Sequence, residues 1–225
     1  MISRIMLAAV VILAAIASWV AFNGQLKTTS PVESGSAAPY EQGIHFREIA
    51  AADAFETPSS GVLTEFFWYG CPHCRDFEPL LATWQKGKDA DESVTVEQIP
   101  VVWNETSEFH ARLYFVADSV PDAHRLHSEL FEQIIAMRGE KDLAKQESQL
   151  APLFASYGLP AEMLSERLRS DAVSAAVTAS AEKMRAAQIS STPSVLVNHK
   201  WLVLTDDISG PAEVFDIADF LLTNN

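Results

Sequence analysis

Cysteine is nearly absent from this chain of 225 residues, which has only Cys71 and Cys74. A framework of structural disulfides is therefore excluded, and no third thiol is available to scramble with the pair. Basic residues are also scarce. With 16 Lys and Arg against 30 Asp and Glu, the formal net charge is −14. That excludes nucleic acid and anionic lipid as partners, because both would be repelled. No internal repeat is present. Metal chemistry lacks its ligands: Cys71, His73 and Cys74 fall within four residues, without the second pair that structural zinc needs. Haem attachment requires C-x-x-C-H, and Arg75 follows Cys74 instead. His124 and His127 are spaced as ligands on a helix could be, but without a third ligand they read as solvated side chains.

Long apolar runs are absent except for one. Residues 5–22 are apolar apart from Ser18, with Arg4 before them. This is an export segment. Its length just reaches the roughly 17 residues that span a bilayer, and Ala15-Ile16-Ala17 also offers a small-x-small cleavage site, so it is either a signal peptide or an N-terminal membrane anchor. Both place the cysteines outside the cytoplasm. Residues 23–39, rich in Ser, Thr, Gly, Pro and Ala, read as a flexible linker.

What is present centres on residues 63–79, LTEFFWYGCPHCRDFEP. A strand-like segment at 62–68 passes through Tyr69-Gly70 into a helix that starts at the cysteines. A thiol at a helix N-terminus faces unpaired N–H groups and the positive end of the macrodipole, which favours its thiolate. Cys71 is thus the expected nucleophile. Cys74, one turn further along the same face, is the expected buried thiol that resolves a mixed disulfide. Pro72 and His73 lie between them, and an imidazole near the sulfur would stabilise the dithiol and make the disulfide more oxidising. A short-loop bridge contributes little by loop closure, so a purely structural disulfide is the weaker reading.

The stretch E-F-F-W-Y-G-C-P-H-C, a later Thr192-Pro193 and the V-N-x-K after it resemble the DsbA family of thiol oxidases. The resemblance runs from about residue 40 to the C-terminus. It implies an α/β, thioredoxin-like fold with an inserted helical subdomain: core at 40–103, insertion at 104–188, core again at 189–225. It further implies that Glu65 is a buried acid exchanging protons with Cys74, and that Pro193 is cis and lies against the active sulfur. Pro72, Thr192 and Pro193 would engage substrate, with Thr192 also tuning reactivity. Gln98 departs from the pattern, since a lysine often neighbours the buried acid. Asn198-His199 likewise stands where Asn-Gly is more usual at a hairpin turn.

The implied activity is donation of the Cys71–Cys74 disulfide to reduced, unfolded exported polypeptides in the periplasm. No cofactor is needed beyond that disulfide. The protein would act as a monomer and be reoxidised by a quinone-linked, DsbB-like membrane thiol oxidase. The rivals are a reductase or isomerase of the same fold, and a non-enzymatic, anchored peptide-binding or chaperone-like domain. Isomerases of this type carry a dimerisation domain for which no segment is seen, and two intact cysteines disfavour the non-enzymatic reading.

The periodicity predicts strands at 45–49, 62–68, 94–103, 194–197 and 201–204, and a closing helix at 211–222. Pro79 is expected to kink the active-site helix. Pro121, Gly139, Pro152 and Gly158-Leu159-Pro160 are expected to punctuate the helical middle of the chain.

Overall fold

The computed structural model describes residues 39–50, 54–88 and 94–224. The export segment at 5–22 and the linker up to residue 38 lie outside them. Among the described residues, no helix is long and apolar enough to cross a membrane.

The sheet is built from β1 (Phe46–Glu48), β2 (Gly61–Phe67), β3 (Val94–Pro100), β4 (Ser194–Val197) and β5 (Trp201–Val203), in the order β1-β5-β4-β2-β3. Among these five strands only β2 and β3 pair in parallel. Parallel neighbours need a crossover, and here it is α1 (Pro72–Lys88), the helix carrying the cysteines. The period of two in β2 then assigns its faces. Leu63 joins Phe77 and Leu81 of α1 and Phe215 and Leu221 of α7 (Glu213–Asn224) on one side, while Phe66 packs with Ile99, Leu196 and Met184 on the other. Glu65 follows the parity of Leu63 and so faces α1.

Between β3 and β4 run α2 (Glu105–Ala117), α3 (Ala123–Ala136), α4 (Leu143–Ser156), α5 (Ala161–Leu168) and α6 (Asp171–Ala186). Leu113, Leu130, Phe131, Phe154 and Leu164 form their shared core, and Phe67, Tyr69, Cys71 and Cys74 belong to it. A capping box starts α2: the Asn104 side chain accepts from Ser107 N–H at 3.0 Å, and Ser107 Oγ accepts from Asn104 N–H at 2.9 Å.

Several boundaries differ from the sequence expectation. β3 stops at Pro100, where the pairing with β2 ends, and the next residues lead into the capping box. Pro152 does not interrupt the helical region but lies within α4, flanked by the buried Leu150 and Phe154. Tertiary burial on both sides outweighs the one backbone bond that proline removes. Leu164, Leu168 and Val173, whose spacing suits one helix face, divide between α5 and α6 at the Ser170 cap. The active-site helix, by contrast, runs to Lys88 with Pro79 inside it, and no boundary was expected there.

The β4–β5 hairpin turns through Asn198 and His199, both with positive φ (52° and 54°). Asn-Gly suits such a turn better, and the contacts made by these side chains offset the difference. Asn198 Oδ1 accepts from Val62 N–H at 3.1 Å. The His199 ring bonds the Glu56 carbonyl at 2.9 Å and Glu97 at 3.1 Å.

Candidate active site

The turn after β2 is shaped by Gly70. A Cβ there would lie 2.4 Å from Cζ2 of Trp68, so only glycine lets the indole fold back under the turn. Cys71 N–H bonds the Trp68 carbonyl at 2.9 Å, and the Cys71 carbonyl accepts from Cys74 N–H at 3.1 Å. Pro72 is the first helical residue, where its missing N–H costs nothing. Because Phe66 opposes Ser194 in antiparallel register, the residues before β4 lie beside those after β2. Thr192-Pro193 is thereby brought to Cys71. The Thr192–Pro193 bond is cis, and Cys71 Sγ–H donates to the Thr192 carbonyl at 3.3 Å.

Both cysteines are free thiols here, and their environments differ. Hydrogen bonding from Cys74 leads the forces that hold Cys71 down at about 5, with Thr192 and the N–H groups of Cys74 and His73 adding to it against the opposing burial. The bond from Sγ–H to the Thr192 carbonyl favours the thiol instead, but the donors to the thiolate prevail. Cys74 is inaccessible to solvent. Burial, then the hydrogen bond to Cys71 and the charge of Glu65, push it far above the ordinary thiol range.

Beneath the pair, Glu65 is fully buried. Desolvation first, then repulsion from Glu78, raises its pKa well above the usual carboxyl range, while Gln98 partly opposes the rise. Gln98 is opposite Glu65 in the parallel register. Its amide donates to Glu65 Oε2 at 2.9 Å and to Glu78 Oε1 at 2.7 Å. The departure from lysine therefore leaves a hydrogen-bonding bridge in place, though not a charged one.

His127 and Glu78 were not expected at the site. His127 does not conform to the solvated reading: it is buried, with Nδ1 2.7 Å from Tyr69 OH and Nε2 3.2 Å from Glu78 Oε1, whereas His124 is exposed. The helical period carried the signal, since His127 sits among Leu126, Leu130, Phe131 and Ile134 on the buried face of α3. Glu78 follows Cys74 by one turn and is likewise buried. Of the residues read from the sequence, Cys71, Cys74, Thr192, Pro193 and Glu65 converge. His73 is exposed and reaches Cys71 through its backbone N–H.

A cleft of about 540 Å³ opens beside the pair. Thr192, Pro193, Val195, Ile208 and Val214 give it an apolar wall, and His73 and Asp76 contribute polar groups.

A family model described as Thioredoxin matches residues 56–210, most of the chain and all of the site. The chain belongs to the thioredoxin family. Its curated relatives narrow the activity. It is 27% identical over 187 residues to the thiol:disulfide interchange protein DsbA of Pseudomonas syringae pv. tomato, covering 83% of this chain and 85% of that one. The DsbA of Pseudomonas aeruginosa is 27% identical over 189 residues, covering 84% and 87%. The crystal structure of Pseudomonas aeruginosa DsbA superposes with a TM-score of 0.69 at 25% identity, covering 83% and 95%. DsbA from Xylella fastidiosa, at 24% identity and a TM-score of 0.70, covers 83% and 97% and shares the fold. The thioredoxin-family protein described here is a thiol:disulfide oxidoreductase, and its fold is thioredoxin-like with a helical insertion.

Proposed function

We propose that the enzyme works as an oxidase, donating the Cys71–Cys74 disulfide to reduced, newly exported polypeptides in the periplasm through a mixed disulfide at Cys71. The supporting observation is the opposed tuning of the two thiols. A thiolate held at about 5 stabilises the reduced enzyme and is a good leaving group, and both effects favour passing the disulfide on. A buried Cys74 that resists ionisation is disfavoured as a leaving thiolate until a proton reaches it, and Glu65 is the acid that supplies one.

Thr192, Pro193 and Pro72 form the substrate side of this reading. The Thr192 backbone pairs with an extended peptide by strand addition, and the apolar wall of the cleft takes a side chain near the substrate cysteine. The enzyme acts as a monomer and needs no cofactor beyond its own disulfide. A quinone-linked, DsbB-like membrane thiol oxidase returns it to the oxidised state. Residues 5–22 direct its export, as a cleaved signal or a retained tether.

The deciding experiment is the reduction potential of the Cys71–Cys74 pair in glutathione buffers at pH 7. The expected value lies above about −200 mV, on the oxidising side of the glutathione poise. A value near the roughly −270 mV of thioredoxin would assign the enzyme to reduction instead.

A further inference from the structure

Gln98 bridges Glu65 and Glu78, but an amide cannot take up or release a proton in this pH range. The group placed to do so is on the helical insertion. His127 Nε2 lies 3.2 Å from Glu78 Oε1 and 3.4 Å from Gln98 Nε2. The two amide hydrogens of Gln98 are already directed at Glu65 and Glu78, so the third contact is not a hydrogen bond from the amide. The remaining assignment gives Nε2–H to Glu78 and leaves Nδ1 to accept from Tyr69 OH at 2.7 Å. Tyr69 is fully buried and packed against Phe131, so the ring is held on both nitrogens. Glu78, unlike Glu65, reaches an open groove between α1 and α3, lined also by Arg75, His124 and Glu132.

We propose that His127 is the proton partner of the Glu65–Glu78 pair: it positions Glu78 through the Nε2 contact, so that the proton Cys74 takes up is replaced from the groove through Glu78 and Glu65. This rests on the reading of Glu65 as the acid for Cys74.

In the oxidising direction a substrate thiolate attacks Cys71 Sγ, and the Cys71–Cys74 bond breaks. Cys74 leaves with the electron pair and is protonated by Glu65. A second substrate thiolate attacks the substrate sulfur of the mixed disulfide, releasing the substrate disulfide and the Cys71 thiolate. The substrate loses two electrons to the enzyme and two protons to solvent, the proton on Cys74 comes from Glu65, and the enzyme takes one proton back from solvent only when Glu65 is recharged. Glu65 is left ionised in a fully buried position, where desolvation and the charge of Glu78 both disfavour its carboxylate. An imidazole against Glu78 lets a proton be held there while Glu65 is recharged.

Every element packed around His127 contributes a facing group: Glu78 from α1, Gln98 from β3, Tyr69 from the turn after β2, Phe67 from β2 and Tyr114 from α2. Glu78 is the carboxyl in direct contact with the ring, and Glu65 is joined to Glu78 through Gln98.

The test compares full-length wild type, His127→Gln, Tyr69→Phe and Glu65→Gln in single-turnover oxidation of a dithiol peptide from pH 5 to 9, with the reduction potential measured over the same range. His127→Gln keeps a donor but does not titrate. It should slow turnover about tenfold, below the full effect of a general acid, shift the pH profile and leave peptide affinity unchanged. Tyr69→Phe should shift the profile in the same direction by less. If His127→Gln keeps the wild-type profile while Glu65→Gln changes it, His127 has no such role and the reading of Glu65 stands. If neither changes it, both fall. Should His127→Gln not fold, an unchanged profile in Tyr69→Phe overturns the proposal, and a shifted one supports it.

Discussion

Cys71 and Cys74 are three residues apart, yet they face two different regions of the molecule. Cys71 looks to Thr192 and to backbone N–H groups, and its neighbours His73 and Thr192 line an apolar cleft. Cys74 looks inward to a polar cluster of Glu65, Gln98, Glu78 and His127, closed over by the insertion. The outer region is made by neighbours in the chain and one returning loop. The inner region draws on β2, β3, α1 and α3. Hydrogen bonding dominates at one sulfur and desolvation at the other, and this difference moves the pKa values of two identical side chains in opposite directions.

The comparison is tested most severely by alkylation of the reduced protein with iodoacetamide at pH 6. Cys71 should react at least about a hundredfold faster than Cys74, because thiolate and access both favour it. Peptide mapping that finds comparable rates would abolish the distinction.

A smaller effect concerns stability. The folded Cys71 pKa of about 5 is depressed from about 8.5 in the unfolded chain. The resulting stabilisation of the reduced fold is fully present above 8.5 and is lost as pH falls through 5. Discounted for solvent screening at a partly exposed sulfur, it amounts to about 2 kcal/mol at pH 7, while a disulfide closing so short a loop offers little in return. Denaturant melts should therefore show the reduced protein more stable at pH 7, with the gap closing towards pH 5. A gap that stays constant would place the control of Cys71 elsewhere.

His73→Ser sharpens the outer half of the comparison. The His73 N–H that favours the Cys71 thiolate survives the substitution, and the exposed imidazole is what is removed. The Cys71 pKa should rise and the disulfide become less oxidising, by no more than about 30 mV, which corresponds to 1.4 kcal/mol. Thiolate absorbance and glutathione titration measure the two quantities. A larger drop would give the imidazole the leading role.

The smallest effect is expected on the far side of the sheet, at Glu97 and His199. Their hydrogen bond is the leading cause that lowers the Glu97 pKa and raises that of His199. The contribution from Glu97 is lost as pH falls through its lowered pKa, below 4.5, and that from His199 as pH rises through its raised one, above 6.5. Glu97→Gln should cost about 0.2–1 kcal/mol between those limits and leave the reduction potential unchanged. A shifted potential would mean that the two faces of the sheet are electrically coupled.

Much of the outer region was legible in the sequence. Strand, turn, C-P-H-C and helix are contiguous, and Thr192-Pro193 is recognisable at the start of a hairpin. The burial of Glu65 was legible too, because it lies between apolar neighbours in a central strand. The inner region was less so. His127 was read by its spacing from His124, although its place among Leu126, Leu130 and Phe131 decides its burial. Its bonds to Tyr69 and Glu78 depend on how α3 docks against α1, which no local pattern encodes. The same applies to Gln98, whose partners are set by strand register and helix placement together. Pro152 misled because a proline's local cost was weighed without the packing of the residues on either side of it.

The core of the five inserted helices includes Phe67, Tyr69 and both cysteines. The insertion is therefore not a cartridge that can be exchanged between relatives while the redox pair stays as it was. A graft carrying a foreign α3 would replace the wall behind Cys74 and take away the imidazole held by Tyr69 and Glu78. Natural variation on that helix can thus retune a redox pair whose C-P-H-C never changes, and a survey restricted to the motif would class such variants as equivalent.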